Sequence, residues 1–92
     1  MKVNICGIVH NVIECEDKFD VDCHFGMIDY KKCEIRINKD ADEQVKRETI
    51  CHEILHGILI HIGLIEMAED ERIVQALGNA INQCFDIREV EE

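Results

Sequence analysis

The stretch TICHEILHGILIHIGL, residues 49–64, decides the fold of this chain, because it is apolar nearly all round a helix yet carries three histidines and a glutamate. A surface helix has one apolar stripe, whereas a helix that is apolar on every side lies in the interior. The stretch therefore predicts a central buried helix. Its polar side chains need partners there, since burying an unpaired polar group costs roughly 2–7 kcal/mol.

Three of those polar residues, His52, Glu53 and His56, form the pattern H-E-x-x-H. Two histidines four residues apart on a helix lie about 40° apart on one face, so both imidazoles can bind one ion. Glu53 then lies beside the ion, where its carboxylate can take a proton from a zinc-bound water. The pattern predicts a Zn²⁺ site with Glu53 as general base; core histidines satisfied by ordinary hydrogen bonds are the alternative.

The third histidine, His61, does not fit the same site. It follows His52 by nine residues, which turns it about 180° away on a continuous helix. The metzincin pattern also fails, because Gly57 and His61 are both misplaced for it. We therefore expect His61 to be structural or exposed.

A third ligand is expected from a second helix that returns beside the first. If the hairpin turns at residues 63–67, residues 70–74 lie level with His56. Glu69, Asp70 and Glu71 offer carboxylates there, and periodicity alone does not choose between them. For at least two of the three, a solvated acidic first turn of a helix is the expected role.

The pattern on either side gives the fold class. Asp40 and Glu43 have the spacing of a helix start, and Gly63 is placed to end that helix. Before residue 40, short β-type runs predict strands at residues 3–6, 10–15, 26–30 and 33–38. In the last run Cys33, Ile35 and Ile37 alternate with polar residues, as in a strand with one buried face.

We therefore predict a single α+β domain over residues 1–92. A small antiparallel β-sheet of three or four short strands occupies residues 1–40, and a two-helix hairpin carrying HExxH occupies residues 41–92. Turns are expected at Gly7 and at residues 31–32, and an exposed acidic loop at residues 16–22.

Composition limits the partners and the compartment. Twenty acidic residues against ten Lys and Arg give a net charge of −10, which argues against nucleic acid and anionic membranes as partners. The N-terminus has no pattern of a signal peptide, and no apolar run is long enough to span a membrane. With six cysteines and no CxxC pair, we expect reduced thiols and a cytoplasmic protein. Cys23 and His24 are adjacent, a poor spacing for a zinc knuckle.

Further motifs extend the pattern over nearly all of the chain. Gly26, Ile28, Asp29 and Tyr30 precede an alternating Ile35 and Ile37, and the HEILH helix is followed by E-R-I-V and A-L-x-N-A-I. With these features the chain resembles the small phage and prophage metallopeptidases of the minimal gluzincin type, relatives of the ImmA/IrrE group. The resemblance implies that the glutamate three residues before Val74, which is Glu71, is the third ligand.

The resemblance also implies a function: hydrolysis of peptide bonds by zinc on His52, His56 and Glu71, with water in the fourth position. The substrate is expected to be a peptide or protein, such as a transcriptional regulator, added along strand 33–38. Tyr30 and His24 are candidate donors to the oxyanion, and no spacing selects between them. A non-catalytic, zinc-stabilised protein-binding module is the alternative. Intact Glu53 favours the peptidase, since a purely structural zinc site needs no base.

Overall fold

The computed structural model describes residues 1–16 and 26–91, which form a four-stranded sheet and three helices. The strands are β1 (Lys2–Ile5), β2 (Ile8–Cys15), β3 (Gly26–Asp29) and β4 (Glu34–Asn38). The helices are α1 (Glu43–His61), α2 (Ile65–Glu69) and α3 (Glu71–Cys84). The predicted α+β class is confirmed. Glu16 is the one residue of the predicted acidic loop that the structure describes; it is exposed and forms an ion pair with Lys39. Residues 17–22 of that loop lie outside the described residues, as do Cys23 and His24.

The sheet is mixed, with the strand order β1-β2-β4-β3. β1 pairs with β2, and β3 with β4, in antiparallel fashion, but β2 and β4 are parallel. The prediction of a wholly antiparallel sheet is therefore wrong at its central pair. A parallel pair needs a connection of a dozen or more residues. The connection from β2 to β4 spans residues 16–33. It includes β3, which pairs with the other side of β4.

The predicted turns between the strands are present. Cys6 and Gly7, with φ of 51° and 90°, form the tight turn from β1 to β2, as in hairpin turns that require positive φ at both central residues. Between β3 and β4, the Asp29 carboxylate accepts hydrogen bonds of 3.0 Å from the backbone N–H groups of Lys31 and Lys32. Both connections fix antiparallel neighbours, and neither determines how the two hairpins join.

Helix α1 lies between the sheet and the other two helices, which explains why it is apolar nearly all round. One cluster packs Ile50 of α1 against the sheet residues Val3, Ile5, Ile35 and Ile37. A second cluster packs Leu55 and Leu59 of α1 against Ala68 of α2 and Val74 of α3.

Gly57 lets the middle of α1 approach the sheet closely. A Cβ at this position would lie 3.1 Å from atoms of Ile5 and 3.2 Å from Ile28. These contacts are tighter than ordinary van der Waals packing, so the absence of a side chain sets the distance between α1 and the sheet.

The helix ends differ in detail from the prediction. The first helix is capped by Asp42 rather than Asp40, because the Asp42 carboxylate accepts from the N–H of Gln44 at 2.9 Å. The helix ends before Gly63, as predicted. The short helix α2 was not predicted, so the chain turns through α2 before α3 begins.

The residues after α3 return to the sheet, although residues 41–92 were predicted to be helical. The N–H of Val90 donates to the Lys2 carbonyl at 2.8 Å, and Glu89 bridges to Val3.

None of the helices that the structure describes could cross a membrane. All five described cysteines have free thiols.

Candidate metal centre

Three side chains from two helices meet at one point. His52 and His56 lie on α1, and Glu71 begins α3. The Nε2 atom of His52 lies 3.1 Å from Nε2 of His56 and 3.1 Å from Oε2 of Glu71. The Nε2 atom of His56 lies 3.0 Å from Oε1 of Glu71. This cluster could hold a metal ion, and within residues 1–16 and 26–91 no fourth His, Cys, Asp or Glu joins it.

Hydrogen bonds cannot account for all three contacts of this cluster at the same time. An ionised Glu71 only accepts hydrogen bonds, so each imidazole would have to donate from Nε2 to the carboxylate. The two Nε2–H groups, 3.1 Å apart, would then face each other as donors. A single cation attracts the lone pairs of all three groups, which removes this conflict.

The protonation state of His52 also favours the binding of a metal ion. Burial of the imidazole lowers the pKa of His52, and the neighbouring His56 adds to that effect, while Glu71 opposes it. Only 16% of the His52 side chain and 14% of the His56 side chain are exposed, against 59% for Glu71. The half-open cluster therefore favours a neutral imidazole, the form that binds metals, and is accessible from the Glu71 side.

Glu53 is a buried carboxylate next to this cluster. The residue is 7% exposed, and none of the described residues hydrogen-bonds to its side chain. Burial raises the pKa of Glu53 to about 7, with the negative charge of Glu71 as the second cause. A carboxylate in such a setting is costly for the fold, and strongly shifted acids of this kind concentrate at functional sites.

The acidic residues around Glu71 have other roles. The Asp70 carboxylate caps α3 by accepting from the N–H groups of Arg72 at 3.0 Å and Ile73 at 3.3 Å. Glu69 ends α2 with an exposed side chain and is not part of the cluster. Of the three candidates for a third ligand, only Glu71 lies beside the two histidines.

The proposed oxyanion donors differ in what the structure describes. Tyr30 follows β3, and both burial and the charge of Glu53 raise the pKa of Tyr30, so its hydroxyl stays protonated near Glu53. His24 lies outside the described residues. His61 is exposed, as the helical angle predicted, and its ring packs edge-on against Tyr30 at 6.4 Å and against His10 at 6.3 Å.

The sheet edge near this site is not the one predicted. Strand 33–38 was expected to accept a peptide, but β4 is paired on both sides, with β2 and β3. β3 is the outer strand, and no described strand pairs with its other edge. It lies against α1 at Gly26, where a Cβ would meet the Thr49 side chain at 2.6 Å. No local signal in the sequence distinguishes β3 from β4, because both alternate in short runs.

Scans of family models, curated proteins and solved structures found no match to this chain.

Proposed function

We propose that this protein is a zinc-dependent metallopeptidase of the minimal gluzincin type, similar to the phage and prophage enzymes that its motifs resemble. The observation that carries the proposal is the buried Glu53 carboxylate, without a hydrogen bond from any described residue, next to the His52-His56-Glu71 cluster. A structural metal site needs no such group, whereas hydrolysis needs a base beside the metal.

The donor set and its spacing support zinc. Two imidazole nitrogens and one carboxylate oxygen are the three protein ligands of many catalytic zinc sites, with one position left open. Tetrahedral bonds of about 2.0–2.1 Å would place ligand atoms about 3.3 Å apart. The two imidazole Nε2 atoms are 3.1 Å apart, which is close to this value. They contact different oxygens of Glu71, at 3.1 and 3.0 Å, and one ligand atom from each of the three residues lies within 4.8 Å of the others.

The roles of the residues follow from their positions. Zinc bound to His52, His56 and Glu71 would supply Lewis acidity and lower the pKa of a water to about 7. Glu53 takes the proton from the attacking water and passes it to the leaving amine. Tyr30, protonated and electrostatically coupled to Glu53, donates a hydrogen bond to the oxygen that becomes negative in the transition state.

The substrate is a protein segment in extended conformation, such as part of a regulatory protein. The outer edge of β3, with which no described strand pairs, supports this, because an extended peptide can add to a sheet edge through backbone hydrogen bonds. At the opposite edge, β1 is bridged by the chain at Glu89. The peptide would therefore lie along β3, on the side of the sheet next to Tyr30.

A second candidate function is a non-catalytic binding module that keeps zinc for stability. The exposed apolar side chains on α3 favour it: Leu77 is 41%, Ile81 39% and the adjoining Phe85 68% exposed. Exposed apolar side chains grouped on one helix are a common feature of protein interaction surfaces.

The test compares cleavage of a cellular proteome by the wild type, Glu53→Gln and Glu66→Gln, each loaded with zinc. Glu66 is an exposed acid of α2 and serves as the matched control. We expect one zinc per chain in all three, the same new N-termini from the wild type and Glu66→Gln, and a loss of roughly 10²–10⁴-fold in rate for Glu53→Gln.

Two results would contradict the proposal. A wild-type protein that binds no zinc would remove the site itself. Equal cleavage by wild type and Glu53→Gln, or no cleavage by either, would favour the binding module.

A further inference from the structure

The second ring nitrogen of His52, Nδ1, takes no part in the contacts of the metal cluster. Nε2 points to His56 and Glu71, so it is the atom that would bind the ion. A neutral imidazole whose Nε2 lone pair binds a metal carries its proton on Nδ1. That Nδ1 atom is buried, and none of the described residues gives it a hydrogen bond of good geometry. An acceptor close to Nδ1 is therefore needed.

Gln75, one turn after Glu71 on α3, lies beside the His52 imidazole. Glu71, four residues before Gln75, contacts His52 at 3.1 Å, and Gln75 itself donates to Glu48, which lies four residues before His52 on α1. The helices are close at this level, because a Cβ on Gly78 would lie 3.5 Å from the Cα of His52. The face of α3 that carries Gln75 therefore packs beside the His52 side chain.

The orientation of the Gln75 amide is fixed by two other residues. Its Nε2 donates to Oε1 of Glu48 at 3.0 Å and to Oδ1 of Asn79 at 2.9 Å. A carboxylate only accepts, so the nitrogen of the amide must face Glu48. Both hydrogens of the amide are then used, and Oε1 of Gln75 remains as an acceptor for the Nδ1–H of His52.

We propose that Gln75 is a positioning residue: its amide oxygen accepts the Nδ1 proton of His52 and so holds Nε2 toward the metal. The inference rests on the metal site of the proposed function. An outer partner of this kind fixes the tautomer and the ring orientation of a metal-binding histidine, and its loss typically weakens metal affinity by about 10–100-fold.

The test measures zinc affinity by competition with a chromophoric chelator in the full-length chain. Gln75→Leu removes the acceptor, and Gln83→Leu makes the same change at an exposed position of the same helix. We expect about 10–100-fold weaker binding for Gln75→Leu and wild-type affinity for Gln83→Leu. The double variant Glu48→Gln with Gln75→Glu exchanges donor and acceptor between the two residues while keeping an acceptor at position 75, and should bind zinc with an affinity close to that of the wild type.

A second measurement separates positioning from general damage to the fold. In the zinc-loaded wild type, ¹⁵N NMR should show His52 with a slowly exchanging proton on Nδ1, and in Gln75→Leu that proton should exchange rapidly.

Unchanged affinity and unchanged Nδ1–H exchange in Gln75→Leu would overturn the role of Gln75 while leaving the metal site intact. A wild type without zinc affinity would overturn both, and the two failures are thus distinguishable.

Discussion

At the scale of single residues, Glu53 is the group that most distinguishes this chain from an ordinary small α+β protein. Its carboxylate is buried, its charge raises the pKa of Tyr30, and none of the described residues hydrogen-bonds to it. Most buried polar groups in proteins have a partner. The unfavourable placement is understandable if the carboxylate serves chemistry at the neighbouring cluster, because a base near pH 7 is most effective when its pKa is close to that value.

The stability of chelator-treated protein should report this buried carboxyl. Its pKa is 4.5 in an ordinary setting and about 7 in the fold. Well below pH 4.5 the group is protonated in both states and has no effect on stability. Between these values the unfolded chain loses the proton while the folded chain keeps it, so stability falls as pH rises, by about 3 kcal/mol in total.

Urea denaturation at pH 5 and pH 8, with chelator present, measures this effect. The stability difference between Glu53→Gln and the wild type should shift in favour of the variant at pH 8, whereas Glu66→Gln should differ from the wild type equally at both values. The same stability difference between Glu53→Gln and the wild type at both pH values would show that burial does not shift the pKa of Glu53.

At the scale of elements, the first turn of α3 separates two adjacent acids by function. Asp70 precedes the helix and satisfies two backbone N–H groups, whereas Glu71 lies within the helix and reaches His52 and His56 on α1. The cap fixes where α3 begins, and that in turn determines which acid faces α1. A single residue of displacement would turn Glu71 about 100° away from the histidines.

Substitutions in this turn should separate the cap from the ligand. Asp70→Ser keeps a capping oxygen and should keep both stability and zinc affinity, while Asp70→Ala should cost about 1 kcal/mol of stability. Glu71→Ala should leave the cap intact and weaken zinc binding by more than the roughly 10–100-fold expected for an outer partner.

Thermal unfolding and zinc titration of the three variants give these quantities, with Glu69→Ala as the control on the neighbouring exposed acid. Wild-type zinc affinity in Glu71→Ala, together with a loss in Asp70→Ser, would move the third ligand to Asp70.

At the scale of the whole molecule, α1 is held by two small clusters on opposite sides. One joins it to the sheet and the other to α2 and α3. A chain of 92 residues buries a limited share of its surface, so such clusters give only modest stability. An ion on His52, His56 and Glu71 would join α1 to α3 across a connection that includes α2, and would add binding energy to the folded state alone.

Removal of the metal should therefore lower the melting temperature. At a free zinc concentration 100 times the Kd, binding stabilises the fold by about 2.7 kcal/mol. For a chain of this size that corresponds to a decrease in Tm of about 10–20 °C on addition of chelator. Scanning calorimetry with and without chelator measures the change, and His56→Ala should show none. Equal Tm values for the wild type in both conditions would exclude a metal that supports the fold.

The sequence alone determined what depends on local geometry. Helical periodicity placed His52 and His56 on one face of α1 and turned His61 away, and the apolar residues on every side predicted the central burial of that helix. The turns at Gly7 and after Asp29 were predictable for the same reason, since each is fixed by a few consecutive residues. The extra helix α2 lacked a comparable signal.

The tertiary structure decided what depends on contacts between distant segments. The parallel pairing of β2 with β4, the pairing of β3 with β4 at the outside of the sheet and the packing of α3 at Gln75 against α1 all join residues far apart in the chain. Among the three acids before α3, spacing left the third partner open, and the motif resemblance favoured Glu71 without establishing where it lies. The packing of α3 on α1 brings Glu71 to the histidines, because side chains from two helices meet only when both the helix start and the crossing of the helices are fixed.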